Sequence, residues 1–189
     1  MPWTPNAKIP NQKSKASPAL AALVGANRAL LHMVHLGDSS NNIWHSTFDG
    51  NGNGIWTPNV TIPGQKSKAG PALAVYREQL HMVHLGDSSN DIWHSRLNGS
   101  TWTPNVRIPG QKSKAPPALA SGGRLHMLHL GDSSNEIWQS IFDGDTWTTN
   151  VRIGQTSRAA PALTLFVGVL HMVHLGSNSN DIFWATFFD

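Results

Sequence analysis

Ten histidines occur in this chain of 189 residues, and eight form pairs of one spacing: His32/His35, His81/His84, His126/His129 and His171/His174. Metal binding is the first chemistry such pairs suggest. On a strand, however, residues three apart point to opposite faces, so no pair chelates one ion. The histidines therefore read as hydrogen-bonding groups between packed sheets. His35, His84, His129 and His174 adjoin a polar loop and are the ones placed for ligand contact. That loop, Asp87-Ser88-Ser89-Asn90-Asp91 in one copy, alternates oxygen donors but lacks the glycine and bidentate glutamate of a calcium loop. It reads as a hairpin turn, and neither a metal nor a cofactor is expected.

Aromatic and polar groups are better placed to bind a ligand. Trp44, Trp93 and Trp138 each follow the polar loop, which supplies Asp38, Asp87 and Asp132 and then Asn41, Asn90 and Asn135. A core role is the usual fate of tryptophan. An indole face flanked by such side chains also suits a sugar ring, whose C–H edges stack while its hydroxyls find donors and acceptors. Gln12-Lys13-Ser14-Lys15, Gln65-Lys66-Ser67-Lys68 and Gln111-Lys112-Ser113-Lys114 recur as well, and the fourth copy reads Gln155-Thr156-Ser157-Arg158. Gln65, Lys68, Gln111 and Lys114 are thus expected beside the aspartate loops, either as a neutralising surface or as the second wall of a pocket. Carboxylates that occur once only, as in a glycosidase pair, are missing from the pattern. Multiplied polar groups suit multivalent binding, and the expectation is that the chain is not an enzyme.

The elements that position these residues follow from the repeat. His81, His126 and His171 are 45 residues apart, while His32 precedes His81 by 49 because of the insertion Asn51-Gly52-Asn53-Gly54 and a longer segment before Gln79. Each copy divides at Gly, Pro, Asn, Asp and Ser clusters into four short strands. In one copy these are Pro71-Ala72-Leu73-Ala74, Leu80 to Leu85, Asp91 to Leu97 and Trp102 to Ile108, referred to as strands a to d. Strands b and c are apolar on both faces, as in a sheet packed between two others. A 3.6-residue apolar period is absent, which excludes helical solenoids.

Four-stranded sheets repeated at this length predict an all-β fold, a β-propeller of antiparallel blades. One domain over 1–189 is expected, with blades near 17–62, 70–108, 116–153 and 161–189 plus 1–9. The segment Trp3 to Ile9 matches strand d, and the stretch from Ile182 onward matches strand c. The first strand is therefore expected to complete the last blade and remove its open edge. Closure within one chain is favoured, giving a monomeric ring; a homodimer of eight blades is the alternative. Insertions and drift fall on the a-to-b side, whereas the loops on the opposite rim are nearly identical in three copies. That rim is the expected binding side.

A formal charge of +3 and the absence of cysteine leave no disulfide framework and argue against nucleic acid as the partner. No apolar stretch suggests membrane insertion, and no leader is apparent at Met1-Pro2-Trp3. The compartment is left open, with secretion or a cell-surface target suspected. The run Pro-Ala-Leu-Ala, Leu-His-Met-Val-His-Leu-Gly, Ile-Trp-His and Phe-Asp-Gly-x-Thr-Trp resembles the repeat of bacterial propeller lectins of the Photorhabdus fucose-binding type. The resemblance implies sugar sites at blade seams around Trp44, Trp93 and Trp138. The fourth copy departs, with Phe183 for the tryptophan and Ser177-Asn178 in the loop, so three intact sites are expected. The chain is thus expected to be a multivalent lectin for glycans or glycoconjugates. A protein-binding scaffold and a glycosidase are the alternatives.

Overall fold

The computed structural model describes residues 2–25, 28–50 and 55–188; the insertion at 51–54 lies outside them. The described residues form an all-β propeller of four antiparallel blades, without α-helix. Blade 1 is β1 (Ala19–Val24), β2 (Ala29–Leu36), β3 (Asn42–Phe48) and β4 (Val60–Lys66). Blade 2 contains β5 (Ala72–Tyr76), β6 (Gln79–Leu85), β7 (Asp91–Asn98), the short β8 (Thr101–Trp102) and β9 (Val106–Lys112), with β8 and β9 both paired to β7. In blade 3 the order is β10 (Ala118–Ser121), β11 (Leu125–Leu130), β12 (Glu136–Phe142) and β13 (Val151–Thr156). Blade 4 has three strands, β14 (Ala162–Phe166), β15 (Val169–Leu175) and β16 (Ile182–Phe187).

The inner strands β1, β5, β10 and β14 pack side by side in that order. Their short Ala-Leu sequences suit this crowded position. The cores lie between blades rather than within one. Val34, Leu36 and Ile43 of blade 1 meet Leu73, Leu80 and Met82 of blade 2. Val83, Leu85 and Ile92 of blade 2 meet Leu119, Leu125 and Met127 of blade 3. Leu128, Leu130 and Ile137 of blade 3 meet Met172 of blade 4. This placement explains why strands b and c are apolar on both faces.

Strand d runs further than its alternation predicts. It continues through the Gln-Lys pair because a glycine kink shifts its register against strand c, between Asp91 and Trp93 in blade 2. Gly64, Gly110 and Gly154 hold φ of 70°, 69° and 75° there, a backbone region that glycine occupies without a Cβ penalty. Gln65 and Gln111 are consequently buried across seams. Gln65 donates to the Thr103 carbonyl at 2.9 Å and accepts from Ser95 Oγ at 3.0 Å; Gln111 repeats this with Thr148 and Ser140. Gln65→Leu keeps much of the volume but strands two buried polar partners. A loss of about 2 to 4 kcal/mol is expected, measured by urea denaturation, with part recovered by adding Ser95→Ala. An unchanged midpoint would refute the clasp.

One expected feature is corrected. Residues 2–9 form no strand, and among the described residues blade 4 has no fourth strand. Trp3 is 99% exposed, and Ile182 and Trp184 on β16 are 75% and 65% exposed. Three seams are packed, while β14 makes no comparable packing with β1. The apolar side chains at the fourth seam therefore remain in solvent. Complementary strand patterns identify a possible pairing but do not bring its two edges together.

Candidate functional site

The rim carrying the b-to-c loops brings many of the sequence-selected residues together. In blade 3 a cavity of about 400 Å³ is lined by Lys112, His129, Asp132, Trp138 and Asn150, among others. Strands b and c supply the imidazole and indole, the turn supplies the carboxylate, and strand d of the preceding blade supplies the ammonium. His129 and Trp138 are directly cross-strand, as are His84 with Trp93 and His35 with Trp44.

A main-chain contact fixes each imidazole. His84 Nδ1 lies 2.7 Å from the Leu85 carbonyl, and His35 and His129 repeat the contact with Leu36 and Leu130. Since a carbonyl only accepts, Nδ1 carries the proton. Burial pushes the His84 pKa down to about 4 and lowers that of His129, although the main-chain bond opposes the shift. The His84 ring is neutral near pH 7, which leaves its Nε2 as an acceptor. In blade 2 Asn105 Nδ2 lies 3.5 Å from His84 Nε2, whereas in blade 3 His129 Nε2 faces an acceptor, Asn150 Oδ1, at 3.2 Å. His35 Nε2 is buried without a protein partner.

The indoles are tucked beneath the turn. A Cβ on Gly86 would lie 3.3 Å from Trp93 Nε1 and 2.4 Å from Ser89 Oγ, and Gly37 and Gly131 meet the matching atoms. Glycine lets the indole approach the main chain. The indole N–H groups of Trp44 and Trp93 are buried with no protein acceptor. An unpaired buried donor is costly and uncommon.

The other predicted residues bind one another. Lys68 Nζ donates to Asn90 Oδ1, and Asn90 Nδ2 donates to Asp132 Oδ1 at 2.5 Å. Lys15, Asn41 and Asp87 repeat this circuit one seam earlier. Lys114 donates to Asn135, which reaches Ser177 at 2.8 Å in the altered fourth copy. Asp38 faces Lys13 at 3.8 Å. These residues link adjacent blades, and Gln65 and Gln111 clasp the seams beneath them.

The sequence reading omitted Lys112, Thr149 and Asn150 from the site. A legible signal was the recurrence of asparagine three residues after the strand-d tryptophan, at Asn59, Asn105 and Asn150. It falls on no turn, and the recurrence alone does not say which way the side chain faces. The first histidine of each b strand has a different function. Trp102 Nε1 donates to His45 Nδ1 at 3.3 Å across a seam, and His45 Nε2 meets His32 Nδ1 at 3.0 Å. Trp147, His94 and His81 repeat the relay.

Neither a protein-family model nor a curated protein matches the chain. Among solved structures it is similar to AofleA, a fungal lectin from Arthrobotrys oligospora, with a TM-score of 0.70 and 16% identity over 90% of this chain and 52% of that one. The chain thus spans about half of AofleA. It is also similar to CoXyl43, a GH43 beta-xylosidase/alpha-arabinofuranosidase from a compost microbial metagenome, with a TM-score of 0.64 and 10% identity over 94% and 76% of the chains. A third similar structure is the catalytic domain of a Coprinopsis cinerea GH62 alpha-L-arabinofuranosidase, with a TM-score of 0.62 and 10% identity over 96% and 66%. Such low identities establish shared fold alone. They correct the expectation that the chain is not an enzyme, because structures with this fold include glycosidases. Repeated architecture therefore gives no ground for setting hydrolysis aside.

Proposed function

We propose that the chain is a multivalent carbohydrate-binding protein whose sites are the rim cavity beside Trp138 and the matching rim positions at Trp44 and Trp93. The observation carrying this reading is the recurring combination of indole, imidazole and aspartate loop. A sugar presents apolar C–H faces and hydroxyls that donate and accept, and the cavity offers complements to both. Similarity to a fungal lectin adds support at the level of fold. A glycan array and haemagglutination by the intact protein test the proposal. Binding on the array with agglutination is expected, and two negatives at high protein concentration would refute it.

Hydrolysis is a second reading, favoured by the likeness to GH43 and GH62 glycosidases. Such chemistry commonly uses two carboxyl groups flanking the scissile bond, whereas the blade 3 cavity is lined by one, Asp132. Chromogenic xylosides and arabinofuranosides decide between the readings. Turnover abolished by replacing one carboxylate would assign hydrolysis.

A further inference from the structure

We propose that two copies of this chain close into one ring of eight blades, each copy supplying residues 3–9 as the missing fourth strand of the other's blade 4. The argument begins with the open edge. Ile182, Phe183 and Trp184 on β16 are exposed, although strand d covers the corresponding edge in each other blade. Residues 3–9 match strand d by sequence but are unpaired.

The segment already has part of the required shape. Asn11 holds φ of 56° at the position matching Gly64, Gly110 and Gly154. Gln12 donates to the Thr57 carbonyl at 3.3 Å and accepts from Ser46 Oγ at 3.1 Å, which is the clasp Gln65 and Gln111 make one blade later. Lys15 donates to Asn41, as Lys68 does to Asn90. Residues 11–15 thus dock on blade 1 as the end of a preceding blade's strand d. Among the described residues no sheet pairs with that strand.

A second copy supplies that sheet. In the three packed seams the loop asparagine reaches the next blade at Asp87, Asp132 and Ser177. At the open seam the matching residues are Asn180 on one side and Asp38, already a rim carboxylate beside Lys13, on the other. Two copies related by a twofold axis make this contact twice and leave no open blade. Closure within one chain would require β14 to pack on β1, whereas the existing seams leave that packing unmade.

Completion also changes blade 4's cavity, of about 550 Å³ and lined by Gln155, His174, Ser177 and Phe183 among others. The blade 3 cavity receives Thr149 and Asn150 from its own strand-d segment. Their matches for blade 4 are Pro5 and Asn6 of the second copy. His174 Nε2, now 2.9 Å from Gln155 Oε1, would gain Asn6 as a neighbour.

The chain contains no cysteine, which makes a crosslink diagnostic. The pairs Trp44 with Thr61 and Trp93 with Arg107 place Lys8 opposite Phe183. Lys8→Cys protein mixed with Phe183→Cys protein should yield a disulfide-linked dimer under mild oxidation. Unmodified protein should have twice the 20.5 kDa chain mass by light scattering. Any of three results overturns the proposal: a monomeric mass, an internal crosslink in the Lys8→Cys/Phe183→Cys chain, or open assemblies larger than two. If the mixed variants fail to crosslink, dimeric mass lost on deleting residues 2–9 still supports it, and dimeric mass retained on deletion refutes it.

Discussion

Acidification from pH 7 to about 5 should unfold this protein before most of its carboxylates titrate. His45, His81 and His84 have pKa values pushed down from 6.5 to about 4, and His94 to about 3, chiefly because burial disfavours the charged ring. His32 and His129 are lowered by the same cause. The unfolded chain takes up protons as pH falls below 6.5, while the folded chain resists them until about 4. Stability is therefore full above 6.5 and is lost progressively toward 4. At 1.36 kcal/mol per unit, one ring held about 2.5 units low corresponds to roughly 3 kcal/mol. Two or three such rings are comparable with the usual total of about 5 to 15 kcal/mol.

The expected midpoint lies near pH 5, measured by circular dichroism and tryptophan fluorescence. Blade 3 provides the control, because Gln139 replaces the paired histidine of blades 1 and 2 and its amide meets His126 Nδ1 at 3.2 Å. His45→Gln with His94→Gln should move the midpoint to lower pH while retaining the fold. Stability that stays flat from pH 7 to 4.5 would show that the rings are more readily hydrated than their burial indicates.

Blade number and strand order were legible because local chemistry encodes them. Gly86 to Asn90 turns the chain wherever it occurs, and the apolar faces of Leu80 to Leu85 require neighbours on both sides. The kink at Gly110 was less legible, since a glycine within a strand pattern also reads as a strand end. It hid the burial of Gln65 and Gln111, which resemble surface residues when placed in a loop. Local pattern carried still less about the fourth seam. Trp3 to Ile9 shows what can pair with β16, but pairing within the chain depends on the sweep set by three packed cores. At the rim, Asp132 and Trp138 were readable from type and spacing. Lys112 and Asn150 reach the same cavity through strand-d geometry that no short motif expresses.

Replacing Trp44, Trp93 and Trp138 together by phenylalanine should abolish multivalent glycan binding and leave the fold intact. Phe183 occupies the matching position in blade 4, where it stacks against His174 with ring centroids 5.6 Å apart. Phenylalanine is thus accommodated beneath the same turn, and a change in urea stability of less than about 1.5 kcal/mol is expected. What disappears is part of the stacking surface. Loss of about 1 to 2 kcal/mol at one site weakens its affinity roughly tenfold. A linked array multiplies that loss, because avidity gains of about 10² to 10⁴ require several sites to engage together. Trp93→Phe alone should weaken agglutination while the remaining sites bind free sugar unchanged; the triple variant should fail in both assays. Retained agglutination by a folded triple variant would place the sugar elsewhere, and the wider seam cavity formed by Arg96, Arg107, Asp145 and Trp147 would then be the next surface to test.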